Sequence, residues 1–256
     1  MADDMLQFQE QLQQWFRSEL GRNVLLAERH RVDKVLPNLF GYHILQLGHD
    51  GVDNLLESSR ISHKMITCSS FDKQVNGITR LFCASHSIPI ASDSMDVVVL
   101  PHSLEFESNP HQVLRETERV LIGEGHVLIL GFNPRSLWGL RRFFLAWREK
   151  PPWNGHYLAL TRLKDWLQLL GFEIVMTERF YFRPPISNSK ISEKLKFMEQ
   201  LGRYCWPYLG GIYMLLAKKR VIPLTPIKMR WKTRRHMIAS GVAEPSARIM
   251  EIDERG

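Results

Sequence analysis

The stretch from Ile88 to Phe132, IPIASDSMDVVVLPHSLEFESNPHQVLRETERVLIGEGHVLILGF, constrains the fold most, because it spells one complete β-α-β unit with its boundaries in place. Val97, Val98, Val99 and Leu100 form the continuous branched run expected of a strand buried on both faces. Asn109 is placed as a helix N-cap and Pro110 at the first helical position, where a missing N–H costs nothing. Val113, Leu114, Val120 and Leu121 then share one face, and Arg115, Glu116, Glu118 and Arg119 the other. Gly123 and Gly125 are read as the helix exit, supplying tolerance of positive φ, and His126 to Leu130 as a second buried strand. Two parallel strands joined by a helix predict an open α/β sheet with helices on both faces, in which ligands bind beyond the carboxyl ends of the strands. That places a site near Pro101, His102, Ser103, Asn133 and Pro134.

The Ile88-Pro89-Ile90 segment, the Ser94-Met95-Asp96 lead-in, Arg119-Val120-Leu121 and the Gly-Glu-Gly turn together resemble the LPF…SFDVV…RVLKPGG pattern of class I S-adenosylmethionine-dependent methyltransferases of the type 11 group. The likeness extends from about Trp15 to Arg230, and is nearest to an uncharacterised bacterial branch of that group. It implies a Rossmann-like fold with a mostly parallel sheet and an antiparallel last strand. It also implies S-adenosylmethionine as cofactor and methyl transfer to a small-molecule acceptor.

In that family the first strand ends in an acidic residue, then one further residue, then GxGxG. Here Tyr42 to Leu47 reads as the strand, followed by Gly48-His49-Asp50-Gly51: Gln46 stands at the acid, Gly48 keeps the first glycine, Asp50 and Val52 stand at the second and third, and Gly51 is out of register. Gln46 can accept a hydrogen bond from the cofactor's ammonium without a full charge, and Asp50 is near enough in sequence to supply a carboxylate. Lys64 to Cys68 is the second strand, and spacing puts Ser69 where an acid grips the ribose. Ala84 takes the place of the acid facing adenine, which leaves Ser85 and His86 for that contact. The implied cofactor set is therefore Gln46, Gly48, His49, Asp50, Gly51, Ser69, Ser85, His86, Leu100, Pro101 and His102. If a general base is needed, His102 and Glu105 are the candidates. His49, His86 and His102 each follow a predicted strand, so a shared cluster of histidines at the sheet edge is an alternative to separate contacts. No metal-ligand spacing occurs, and none is assigned.

Composition bounds the remaining choices. At 256 residues, 44% apolar and 24% charged, the chain suits one substantial core. No apolar run approaches the roughly 20 residues of a membrane span, and the first thirty residues lack a signal-peptide apolar block, which predicts a cytoplasmic protein. Cys68, Cys83 and Cys205 are read as free thiols. The net charge of +7 is concentrated at the end: Lys218 to Gly256 holds ten Lys or Arg against four acids, and the other 217 residues hold 24 against 23. This basic tail, 218–256, is either a solvated extension or an arm for nucleic acid or an acidic membrane surface, centred on Lys228, Arg230, Trp231, Lys232, Arg234 and Arg235.

The expected organisation is leading helices in 1–40, an α/β domain in 41–217 and the tail. Met5 to Glu19 reads as one amphipathic helix ended by Gly21, and Val24 to Val35 as a second, either packed on the sheet or enclosing substrate. The 134–160 segment interleaves Arg135, Arg141, Arg142 and Arg148 with Trp138, Leu140, Phe143, Phe144 and Trp147. It suits a covering helix with snorkelling arginines, a lid over an apolar substrate, or a membrane-surface contact. A helix from Thr161 with Leu163, Trp166, Leu167, Leu169 and Leu170 inward leads to Gly171. Phe172 to Thr177 and Gly211 to Ala217 are the last strands, flanking a helical insertion in 180–210 that carries Ile191, Leu195, Met198 and Leu201. A methyltransferase acting on an apolar small molecule is the first function expected. A non-catalytic module of the same fold, docking nucleic acid or a protein through its tail, is the rival.

Overall fold

The computed structural model describes residues 11–48, 55–68, 78–145, 152–185 and 197–221. Residues 11–17 are helical (α1), and α2 runs Glu19–Val35. The break between them is at Ser18, whose hydroxyl accepts the Gly21 N–H at 3.2 Å. Gly21 thus lies inside the first turn of α2 and does not end α1. A Cβ there would stand 2.3 Å from the Trp15 carbonyl oxygen, so glycine is what lets the two helices join so tightly.

Seven strands follow: β1 His43–Gln46, β2 His63–Cys68, β3 Ile78–Phe82, β4 Met95–Pro101, β5 Leu121–Phe132, β6 Phe172–Phe180 and β7 Ile212–Lys219. They form one sheet in the order β3-β2-β1-β4-β5-β7-β6. The first five are mutually parallel, and β7 runs antiparallel to both β5 and β6. Strand order reverses between β1 and β4, and such a switch point opens a crevice at the carboxyl edge.

Alternation along the strands divides the core in two. Ile44, Val97, Val99, Leu128 and Leu130 face α1 and α2, meeting Phe16, Leu20, Val24, Leu25 and Val32. Leu45, Val98, Leu100, Val127 and Ile129 face the opposite layer, built by α4 (Pro110–Val120) and α6 (Leu160–Leu169) through Val113, Leu114, Val120, Leu163 and Leu167. Because both faces are covered, the central strands are apolar over residues 44–45, 97–100 and 127–130. Asn109 caps α4 by accepting the Gln112 N–H at 3.3 Å.

Three local expectations change. Between Met95 and Val97 the β4–β5 pairing jumps from Leu121 to His126, so residues 122–125 bulge from β5. The left-handed residue there is Glu124, with φ 68°, and Gly125 is needed for closeness: a Cβ would lie 2.9 Å from the Ile122 oxygen and 3.1 Å from that of Asp96. Leu169 is 85% exposed, turned out by the last turn of α6 before Gly171 at φ 82°. Strand β7 runs on to Lys219, where Lys218 pairs with Glu124, Lys219 with Asp93 and Glu118, and Arg220 with Glu173 and Glu124. Those three cations are paired at the end of the sheet, and the compact unit extends to Val221. No helix among the described residues is long and apolar enough to cross a membrane.

Candidate functional site

The carboxyl edge is assembled from the ends of β1, β2, β4 and β5. Gln46, the last residue of β1, is fully buried. Its Nε2 donates to the Gly48 carbonyl at 3.3 Å, and its Oε1 finds no hydrogen-bond partner among the described residues. Gly48 has φ +81° and donates its N–H to Thr67 Oγ1 at 2.8 Å, which ties the turn to β2. A Cβ on Gly48 would lie 2.9 Å from Ser103 Oγ. Both the backbone conformation and the space at this turn therefore call for glycine. The Ser103 hydroxyl donates to the Leu47 carbonyl and so closes the turn after β4 onto the turn after β1.

Beneath that turn is a buried ionic knot. His102 adopts the left-handed conformation, φ 53° and ψ 11°, held by its N–H to the Leu130 carbonyl at 3.0 Å. The strained conformation re-aims its ring inward from the end of β4. Its Nε2 meets Glu28 Oε1 of α2 at 2.6 Å and its Nδ1 meets Glu105 Oε2 at 3.0 Å; Glu105 belongs to a single helical turn, α3 (Ser103–Phe106). The other Glu105 oxygen accepts the Phe132 N–H at the end of β5. The imidazole sits between Phe16 and Phe132, at centroid distances of 5.9 and 4.2 Å. Burial alone would lower its pKa, but the carboxylates of Glu28 and Glu105 raise it to about 10, so the ring is an imidazolium at neutral pH. Burial also raises the Glu105 carboxyl, against the opposing pull of His102 and the Phe132 N–H. Glu28 Oε2 is buried without a hydrogen-bond partner among the described residues.

This geometry separates the sequence candidates. Gln46, Gly48 and the turn bearing Ser103 come together. Leu100 packs in the apolar core with Leu45 and Val98, and Pro101 is buried, so Leu100 can offer a ligand only its backbone. Ser85 and His86 lie half-exposed in the β3–β4 connection; His86 Nδ1 is 3.8 Å from Glu107, and Gln112 donates to the His86 carbonyl at 3.3 Å. His49, Asp50, Gly51 and Ser69 fall outside the described residues. Among the described residues no group of three or more ligating side chains could hold a metal ion. His102 and Glu105 are each about 1% exposed, and both ring nitrogens are engaged. Neither one presents a free lone pair to the crevice as a solvent-facing base would.

Glu28 and Thr67 complete the site beyond the residues expected, and Ser103, expected near it, closes one turn onto the other. For Glu28 a signal exists in the sequence: it falls on the apolar stripe Leu20, Val24, Leu25, Val32, Val35 of α2, where a carboxylate needs a partner. Next to the knot, Phe132 stacks on Trp138 and Tyr157, and Trp138 on Trp153, forming a buried aromatic cluster at the end of β5.

Comparison with known proteins bears on this edge. Residues 42–129, which span β1 to most of β5, match the family described as a methyltransferase domain. The uncharacterised protein YafS of Escherichia coli K12 is 33% identical over 229 residues, covering 89% of each chain. Among solved structures, an S-adenosylmethionine-dependent methyltransferase from Thermotoga maritima superposes with TM-score 0.63 at 16% identity, over 86% of this chain and all of the other. Another, from Archaeoglobus fulgidus, gives 0.54 at 20% identity, over 75% and 93%.

Proposed function

Because the chain belongs with YafS to the methyltransferase-domain family of class I S-adenosylmethionine-dependent fold, we propose that it binds S-adenosylmethionine where β1 and β4 end and transfers the methyl group to an apolar small molecule. The observation that carries this reading is Gln46 Oε1, a fully buried acceptor at the end of β1 with no hydrogen-bond partner among the described residues, beside a turn whose φ of +81° at Gly48 favours glycine. A buried unsatisfied oxygen costs about 1–3 kcal/mol, which an ammonium donor would recover. When bound, the cofactor supplies a methyl group on a cationic sulfur, open to in-line displacement by a nucleophile.

The chain's own residues then orient and exclude water. Gln46 accepts from the amino group, and Gly48, with His49, Asp50 and Gly51 following it, gives the backbone close approach. By their places in the sequence Ser69 would meet the ribose and Ser85 and His86 the base, with the backbone of Leu100 and Pro101 completing the wall. His102 and Glu105 act as positioning residues: the imidazolium joins α2 to the turn after β4, and Glu105 fixes the start of the segment after β5. The exposed apolar side chains of the segment after β5, Leu140, Phe143 and Phe144, favour an apolar acceptor.

The test is incubation of the purified chain with methyl-tritiated S-adenosylmethionine and a solvent extract of bacterial cells. Label partitioning into the apolar phase, and absent with the Gly48→Arg variant, supports the reading. Label confined to protein or nucleic acid would move the acceptor to a different class.

A further inference from the structure

Helix α5 (Leu137–Leu145) is inverted relative to a covering helix. Trp138 is fully buried, and the arginines turn inward: Arg141 lies over the Trp153 ring at 5.0 Å and donates to the Pro185 carbonyl, and Arg142 lies over Tyr157 at 5.1 Å. Leu137, Leu140, Phe143 and Phe144 turn outward, with Phe143 81% and Phe144 66% exposed. Their spacing puts them on one stripe of the helix. An exposed apolar stripe on a helix whose polar residues are already engaged marks a surface that meets something apolar.

The stripe continues onto the segment after α7 (Phe197–Cys205), where Trp206, Tyr208 and Leu209 are also exposed. Leu137 and Leu209 border two openings. One, about 210 Å³, is lined by these two with Phe182, Met198, Gly202 and Trp206 and is almost wholly apolar. The other, about 510 Å³, carries Arg135 and Arg142 beside Leu140 and Phe143. Residues 131–145 and 204–211 contain no Asp or Glu, while Arg135 is exposed and Arg179 lies over the Tyr208 ring at 5.3 Å. The face is apolar at its centre, edged by Trp and Tyr, and its Arg135 has no acidic partner among the described residues.

We propose that this face docks on an anionic phospholipid bilayer. Leu140, Phe143 and Phe144 enter the acyl boundary, Trp206 and Tyr208 sit at headgroup depth, and Arg135 meets lipid phosphate. Aromatic side chains with one polar end concentrate at that depth, and an apolar helical face with nearby arginines lies in the plane of the interface. The anionic leaflet supplies the missing negative charge. The small apolar opening beside Trp206 is a seat for part of an acyl chain.

The test is cosedimentation of the full chain with vesicles of phosphatidylcholine alone and with about one-third phosphatidylglycerol. Binding should require the anionic lipid and fall at least about fivefold in Phe143→Ser/Phe144→Ser, with a smaller fall for Arg135→Glu. Reversing Lys228, Arg230, Lys232, Arg234 and Arg235 to Glu in the full chain should leave the Phe143 and Phe144 dependence intact. Binding unchanged in the serine pair, or lost only on reversing the tail, would overturn the proposal. So would a solution mass of two chains that the serine pair reduces to one, which assigns the face to a second copy.

Discussion

Two neighbouring parts of the carboxyl edge solve opposite problems. At the ends of β1 and β4, charged and polar groups are taken inside: Gln46, His102, Glu105 and Glu28 are all buried, with both His102 ring nitrogens paired and Gln46 Oε1 and Glu28 Oε2 without a hydrogen-bond partner among the described residues. Past the end of β5, apolar groups are left outside, with Phe143, Phe144 and Tyr208 in solvent and the arginines folded onto rings. Buried charge with its partners fixes geometry at a cost in desolvation, whereas exposed apolar surface costs the fold little and is useful only when something covers it. The first region should therefore be sensitive to substitution in stability, and the second in binding alone.

The largest expected effect breaks the knot. His102→Ala leaves two carboxylates buried without their cation and should destabilise the fold by about 3–5 kcal/mol in urea melts. Phe143→Ser should stay within about 0.5 kcal/mol of the wild type, as an exposed site does. Equal losses at the two positions would erase the contrast drawn between the regions.

The pH dependence follows with its sign. The His102 pKa is about 10 in the folded chain against an ordinary 6.5, so its stabilisation is complete below pH 6.5 and is lost as pH rises toward 10. The raised Glu105 carboxyl acts in the same direction, its favourable contribution being greatest at low pH. Melts at pH 6, 8 and 10 should show declining stability across that window, and His102→Ala should flatten the decline. A wild type that gains stability from pH 7 to 10 would mean that the imidazole is neutral.

Smaller effects sharpen the contrast within one helix and at one cap. Leu163→Ala, in the buried face of α6, should cost about 2–5 kcal/mol, and Leu169→Ala about 0.5 kcal/mol or less. Asn109→Ala should cost about 1 kcal/mol through the lost cap on α4, readable as a lower denaturant midpoint at unchanged slope.

The parts legible in the sequence are those governed by local chemistry. Asn109-Pro110 announces α4, the Val97 to Leu100 run announces a doubly covered strand, and Gly48 marks the turn after β1, because caps, branched runs and positive φ depend on adjacent residues. What was not legible depends on residues far apart. Glu28 stands out on its stripe, but its partner His102 is 74 residues away and only the packing of α2 on the sheet joins them. Ser18 rather than Gly21 divides α1 from α2, since the glycine answers to the Trp15 backbone and not to a helix end. Arginines and aromatics alternating in α5 suit either orientation of the helix. Rings of Trp153 and Tyr157, supplied by a later segment, turn the arginines inward.

Calorimetric titration of the full chain with S-adenosylmethionine, with Gln46→Leu and Gly48→Arg in parallel, tests the central claim most directly. Saturable binding is predicted, weakened about tenfold to a hundredfold by Gln46→Leu, the range a charge-assisted hydrogen bond of about 1.5–3 kcal/mol supplies, and abolished by Gly48→Arg. No heat of binding up to millimolar cofactor from a folded chain would contradict it.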